Sequence, residues 1–254
     1  MRILITFAVE PEFAPWKKSR KFIDTAVGGV RICSTSISGN DVDVVVTGMG
    51  PVNARRSVEA VMSCSHAMCV SSGFAGSLQS EHAVGDVLIA KSVRQVSDGK
   101  DVWSDAGLVQ DVLSVPGAKK VERFLSANKI ADSAEEKSEL ALSGDAVEME
   151  SFTVLSVAAE RGTPAIAIRA VSDHFDEGMP VDFSGSVDEK GRILKRKLAV
   201  EIAGHPLRIP ALIRLGSQSK IASEHLRQFM ESYIEMLSAG RVGATADFEK
   251  VARG

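Results

Sequence analysis

Residues 150–173 constrain the fold more than any other stretch. Glu150 to Glu160 reads as a helix, halted by Gly162 and Pro164. Four apolar residues follow, Ala165-Ile166-Ala167-Ile168, a run of the buried-strand type. A helix that hands over directly to a buried strand points to a layered α/β architecture. Asp173 falls just past the C-terminal end of that strand, the edge at which open α/β sheets bind ligands. Glu150 and Asp173 therefore flank one helix–strand unit, and both are candidates for chemistry.

The rest of the chain fits this alternation. Residues 2–8 read as a buried first strand. Val30–Ser38 and Val42–Thr47 read as strands joined through Gly39-Asn40, a hairpin turn. Gly48-Met49-Gly50-Pro51 opens a helix that runs to about Met62, with proline at the first helical position. Ala67–Ser71 and Val84–Val93 are further strands. Residues 94–120 are polar and irregular around Trp103, and read as a lid, an interface loop or a surface excursion. Residues 176–194 read as a loop with Pro180, Gly185 and Gly191. Leu194–Ile202 and Pro206–Leu215 read as short helices, Ile221–Leu237 as a longer amphipathic one, and 240–254 as a tail prone to fraying. With 254 residues, 44% of them hydrophobic, no linker and no internal repeat, the expectation is one domain spanning 1–254. Its fold class is α/β: a three-layer α/β/α sandwich around a central mixed sheet.

Charge and cysteine usage narrow the function classes. A net charge of -3 gives no electrostatic case for nucleic acid or an anionic membrane. The basic run Lys195-Arg196-Lys197 reads as a solvated helix face. Cys33, Cys64 and Cys69 have no metal spacing and suggest reduced thiols in a cytoplasm. His66, His82, His174, His205 and His225 have no metal spacing either. The apolar N-terminus is interrupted at Glu10 and Glu12, too early for a signal-peptide core, and no run approaches the ~18 apolar residues of a membrane span.

Several motifs carry two readings each. Gly48-Met49-Gly50-Pro51-Val52-Asn53 partly mimics a dinucleotide fingerprint, but Asn53 replaces the third glycine. The acid expected ~20 residues on is also missing, with Val70-Ser71-Ser72 in its place. Ser72-Gly73-Phe74-Ala75-Gly76 reads as a turn that needs small residues. Ala8-Val9-Glu10-Pro11-Glu12 reads as an acidic helix N-terminus. Glu150, on a mostly apolar helix, needs a partner or solvent. Arg169 is available to Asp173, to Glu150 or to a substrate, and His174 reads as solvent-facing.

Val147-Glu148-Met149-Glu150, followed by Arg169-Ala170-Val171-Ser172-Asp173, resembles the purine nucleoside phosphorylase and nucleosidase family. The likeness is greatest to its 5′-methylthioadenosine/S-adenosylhomocysteine nucleosidases, which carry Val-Glu-Met-Glu and Arg-Ala-Ile-Ser-Asp at nearly this spacing. Thr47–Ala54 is similar to the family's Thr-Gly-x-Gly-x-x-Asn-Ala element, Ser72–Gly76 to its Thr-Gly-Ser-Ala-Gly loop, and Ala8–Glu12 to its Ala-Met-Glu-Glu-Glu segment. The resemblance implies the nucleoside phosphorylase-like fold and hydrolysis of a purine N-glycosidic bond. It implies that Glu12 activates water, Asp173 protonates purine N7, Glu150 holds the ribose hydroxyls and Met149 packs on the sugar. It further implies substrate contacts at Gly73, Phe74, Ala75, Gly76, Arg169 and Ser172, no cofactor, no metal, and a homodimer with the Trp103 segment as a candidate contact.

The chain departs from the family pattern in two places. Phe74 replaces a small hydroxyl residue that orients the base-protonating aspartate. Residues 120–144 lack the Ser-Gly-Asp-x-Phe segment that stacks on adenine, since Ser143-Gly144-Asp145 sits too close to Glu148. Asp188–Arg192 through Ile209–Leu215 resembles the hopanoid-associated branch, which cleaves adenine from an adenosylated triterpenoid. Two alternatives stand beside hydrolysis: a phosphate-dependent phosphorylase, and a nucleoside-binding protein that has lost catalysis.

Overall fold

The computed structural model describes residues 1–180, 188–192, 194–204 and 206–251. The chain runs β1 (Arg2–Phe7), α1 (Glu10–Ser19), β2 (Ile23–Val27), β3 (Val30–Ile37), β4 (Asn40–Val46), α2 (Pro51–Val61) and β5 (Met68–Ser77). It continues through β6 (Val87–Gln95), β7 (Asp101–Trp103), α3 (Ala106–Val112), β8 (Ala118–Ser126), α4 (Ala134–Leu140), β9 (Ala146–Glu148), α5 (Ser151–Glu160) and β10 (Ala165–Asp173). It ends in α6 (Lys195–Gly204), a turn of 3-10 helix at Pro206–Arg208, and α7 (Ile209–Val251).

The sheet is mixed, as expected. Strand β1 lies between parallel neighbours β4 and β5, and β3 and β2 extend the β4 side antiparallel. Beyond β5 the sheet curls. Strand β5 pairs with both β10 and β9, β9 with β8, β8 with β6, and β6 with β10. Strands β5, β9, β8, β6 and β10 thus close into a ring, where the sequence suggested an open sheet.

Period-two alternation sends successive side chains to two helical layers. Ile166 and Ile168 of β10 face a core shared with Phe13 and Trp16 of α1, Val109 and Val112 of α3, and Leu226, Phe229 and Tyr233 of α7. Ala167 faces the other layer, with Ala54 and Val58 of α2 and Val154 and Val157 of α5. The apolar run at 165–168 is therefore a strand covered on both faces, and all nine residues of β10 are buried.

Four features differ from the sequence pattern. Residues 72–76 are not a turn but the second half of β5. Asp173 is the last residue of β10 rather than beyond it, at a register shift between Val171 and Asp173. Residues 94–120 contain β7, α3 and the start of β8, elements too short and too polar to show a period. The two expected helices at 206–215 and 221–237 form one, and it continues through Val251 where a frayed tail was expected. Gly216 inside it costs about 1 kcal/mol relative to alanine, a small penalty beside the burial of Leu226, Met230, Tyr233 and Ile234. Gly185 and His205 lie outside the described residues.

Strand polarity sets where chemistry gathers. The parallel strands β1, β4, β5 and β10 end on one side. There lie Ala8–Glu12, Thr47–Gly50, Gly73–Gly76 and Arg169–Asp173. Toward the opposite end, buried Asp43 of β4 accepts hydrogen bonds from Arg2 Nε at 2.7 Å and Ser34 Oγ at 2.6 Å, and sits 3.0 Å from His66 Nε2.

Candidate active site

Glu12 occupies the first turn of α1 and is buried. Its Oε2 accepts from the backbone N–H of Ala8 at 2.7 Å and of Val9 at 3.0 Å. This is the side-chain-to-backbone half of a capping box, so the acidic helix start is real. Its Oε1 turns instead to the sheet and accepts from Phe74 N–H at 2.8 Å. Burial pushes the Glu12 carboxyl above the usual carboxylate range, against the pull of Arg169 and the three backbone donors.

Arg169 settles the choice that the sequence left open. It pairs with Glu148, at 2.5 Å, and lies 3.5 Å from Glu150 Oε2. The Nη2 that makes both contacts lies 3.0 Å from Ser151 Oγ and 3.3 Å from Ser71 Oγ, while Nε donates to Ser151 Oγ at 3.2 Å and Nη1 to the Phe74 carbonyl at 3.4 Å. The guanidinium is a buried strut under the site. Glu148 Oε2 also accepts from the N–H groups of Glu150 and Ser151, at 2.9 and 2.7 Å. Its Oε1 has no hydrogen-bond partner among the described residues, and Glu148 is one of the residues that line the cavity.

Glu150 is the residue immediately before α5, and its Oε1 accepts from Gly50 N–H at 2.8 Å. The Gly-Met-Gly-Pro turn thus supplies a donor to the site as well as a helix start. Gly50 holds φ +85°, a left-handed conformation open to glycine. Burial raises the Glu150 carboxyl to about 7; Arg169 opposes the shift and Glu148 reinforces it. Glu12, Glu148 and Glu150 are buried around one guanidinium, and Glu12 and Glu150 both hold a proton more readily than an exposed carboxylate.

Asp173 is held differently. Ser172 Oγ donates to its Oδ1 at 2.6 Å, and Lys137 Nζ donates to its Oδ2. Lys137 also donates to the His174 carbonyl at 2.6 Å. Both side chains of the ion pair are almost wholly buried, at 1% and 4% exposure. Gly76 makes room for them. A Cβ there would lie 2.8 Å from Asp173 Oδ2 and 3.3 Å from Lys137 Cε.

One cavity of about 200 Å³ joins these groups. Glu12, Glu150 and Asp173 line it, as do Phe74, Ala75, Gly76, Met149 and Ser172. Gly73 and Arg169 do not; they lie beneath it. A Cβ at Gly73 would come within 2.6 Å of both Arg169 Nη1 and Glu12 Oε1. Another wall is apolar, built from Val9, Ile130, Met179 and Leu215. Arg55 and Arg56 are outside the cavity. Arg55 pairs at the surface with Glu59 and Glu160, and Arg56 donates to Asn53. The imidazole of His174 is also absent from the lining. Sequence reasoning missed Lys137 and the strut role of Glu148. Lys137 sits in Ala-Glu-Glu-Lys-Ser-Glu-Leu, which reads as a solvated helix, and no local signal marks it as buried.

The chain is similar to several known proteins. The family model described as the phosphorylase superfamily matches residues 2–202. The 5′-methylthioadenosine/S-adenosylhomocysteine nucleosidase of Shewanella halifaxensis is 26% identical over 216 residues, covering 75% of this chain and 94% of that protein. The enzyme of the same name from Shewanella baltica is 28% identical over 222 residues, covering 75% and 92%. A Helicobacter pylori methylthioadenosine nucleosidase mutant, solved with 5′-methylthioadenosine in its active site, superimposes with a TM-score of 0.71. It is 18% identical and covers 92% of this chain and 98% of its own. A futalosine hydrolase mutant of the same organism also gives 0.71, at 17% identity, covering 92% and 99%. The two solved structures establish the fold alone.

Proposed function

The chain belongs to the phosphorylase superfamily, and from that premise we propose that it is a nucleosidase, a hydrolase of the N-glycosidic bond of a purine nucleoside. The relatives that it matches over most of their length carry that activity in their names. The observation that carries the reading is the placement of Glu12 and Asp173 in one cavity, each fixed against β5. Glu12 is tied to Phe74 and Asp173 rests on Gly76. Phe74 and Gly76 are two residues apart along the strand, roughly 7 Å, which leaves room for a water between the two carboxyl groups as in inverting glycosidases.

The roles follow from chemistry. Cleavage needs a proton on the departing base and stabilisation of the positive charge that develops on the sugar. Asp173 protonates purine N7. Glu12 takes the proton of the attacking water, and its raised affinity for a proton suits a base working near neutral pH. Glu150 accepts from the ribose hydroxyls and lends negative charge to the cationic sugar, with Met149 packed on the sugar. Ser172 fills the orienting role that Phe74 has lost, through its bond to Asp173. The apolar wall of Ile130, Met179 and Leu215 suits a 5′ substituent on adenosine, including a bulky one. Among the described residues, no unpaired arginine faces the cavity to receive a phosphate dianion. Water is therefore the nucleophile.

The decisive test is a panel of purine nucleosides incubated with and without phosphate and scored for free base. Base release indifferent to phosphate, with an unphosphorylated reducing sugar, is the expected result. Release that requires phosphate and yields ribose 1-phosphate would replace hydrolysis with phosphorolysis. The free thiols Cys33, Cys64 and Cys69 support a reducing, cytoplasmic setting. The working unit is a homodimer, the commonest closed assembly, with the exposed Trp103 at a candidate contact. Sedimentation at micromolar concentration tests it, and a 27.0 kDa species would count against it.

A further inference from the structure

A lysine buried to 1% exposure is rare enough to need a cause. Lys137 reaches the site from α4 and, among the described residues, donates to two acceptors, Asp173 Oδ2 and the His174 carbonyl. It lines the same cavity as Asp173. Its presence bears directly on the proposed reaction. Lys137 Nζ donates to the very carboxyl from which the departing purine needs a proton.

The geometry points to Lys137 as the source of the proton that the leaving purine takes up, relayed through Asp173. The inference rests on the nucleosidase reading above. As the bond from C1′ to N9 breaks, its electron pair passes into the purine. N7 takes the proton of the Asp173 carboxyl, and Asp173 draws one from the Lys137 ammonium. The pair is left as a carboxylate and a neutral amine, and the base departs neutral. The water that attacks C1′ loses its proton to Glu12. After product release Glu12 returns a proton to solvent and Lys137 recovers one, so the cycle balances.

Two features favour the relay. In water an ammonium is far too weak an acid to protonate a carboxylate, but burial penalises the charge-separated pair relative to the neutral one. A nucleoside that fills the cavity removes the remaining water and deepens that penalty. The surrounding charges leave Lys137 to Asp173. Lys129, on the cavity rim, pairs with Glu136 at 3.0 Å. Glu177 accepts from His174 N–H at 3.2 Å, beside the His174 imidazole. Glu148 and Glu150 are tied to Arg169, and Glu12 to its three backbone donors. Lys137 is a positioning residue that acts on substrate through Asp173.

The test compares wild type with Lys137→Met and Lys137→Arg on two substrates across the pH range. One is a purine nucleoside that the wild type cleaves. The other is p-nitrophenyl riboside, whose leaving group departs as a stable phenolate without protonation. Lys137→Met is expected to lose at least ~10²-fold in kcat on the purine nucleoside at mildly alkaline pH, with KM changed little. The alkaline limb of its profile moves to lower pH, because Asp173 must then be protonated from solvent. Its rate on p-nitrophenyl riboside stays within a few-fold of wild type. Lys137→Arg keeps the charge but gives up no proton, so it shares the purine-specific loss and decides the matter if the methionine variant does not fold. Equal losses on both substrates, an unshifted pH profile, or a purine rate restored by arginine would each overturn the relay. Wild type that releases no base from any nucleoside would remove the nucleosidase reading itself. Wild type that cleaves, with a Lys137→Met profile like its own, would remove the relay alone.

Discussion

At the scale of single residues, the site is an imbalance of charge kept out of water. Glu12, Glu148 and Glu150 share Arg169, while Asp173 has Lys137 to itself. The first prediction concerns the two reacting groups. Asp173→Asn keeps the shape and removes the proton donor, and Glu12→Gln leaves the water unactivated. Each is expected to lower kcat on a purine nucleoside by at least ~10²-fold while substrate still binds. A folded Asp173→Asn variant with near-wild-type turnover would rule the mechanism out. The second concerns Glu150, whose carboxyl is raised by burial from its ordinary value of 4.5 to about 7. The folded state therefore holds the Glu150 proton over a pH range where the unfolded chain has lost it. The contribution of this group to stability is fullest below about 4.5 and falls as pH rises through about 7. Glu150→Gln keeps the acceptor for Gly50 and removes that fall. Its Tm should exceed wild type near about pH 8 and converge with it near about pH 5, and its KM should rise through loss of a sugar contact. Thermal melts at the two pH values check this.

At the scale of elements, the site depends on how close β5 lets its neighbours come. Gly73 holds φ +138° with Arg169 and Glu12 packed where a Cβ would stand. Gly73→Ala should cost roughly 1–3 kcal/mol from overpacking and backbone strain and should lower turnover by displacing Glu12. Denaturant unfolding beside activity at matched folded fraction measures both, and an active variant of unchanged stability would refute the crowding argument. Asp43 lies toward the other end of the sheet, so Asp43→Asn should cost stability while leaving turnover at ambient temperature intact. The same elements show what sequence can carry. The hairpin through Gly39-Asn40, the helix opened by Pro51 and the helix–strand unit ending at Asp173 were legible, because each has a period and a stop signal of its own. Residues 94–120 were not, because β7 is three residues long and takes its order from pairing with β6. Lys137 was invisible for a related reason. Its helix is polar by composition, and only the partner 36 residues away shows why its lysine is inside. The assignment of Glu12, Glu150 and Asp173 to one cavity came from a resemblance, and their partners Phe74, Gly50 and Lys137 came from the fold.

At the scale of the whole molecule, the ring of β5, β9, β8, β6 and β10 bears on how the enzyme comes into being. Its closing strand, β10, is also the one that carries Arg169, Ser172 and Asp173, and it pairs with a strand nearly a hundred residues earlier. A chain emerging from the ribosome can complete β1, β4 and β5 early, but β5 and β6 each wait with one edge bare until residues 165–173 arrive. Bare edges invite pairing with other chains, and long-range closure is slow. Catalytic competence should therefore be the last property acquired on refolding, lagging the recovery of secondary structure. Once closed, the ring leaves β10 no free edge from which to fray. Its backbone amides should exchange with solvent only through global unfolding, while those of the outer strand β2 exchange by local opening. Exchange of β10 amides as fast as those of β2 would show that the ring opens in the native state.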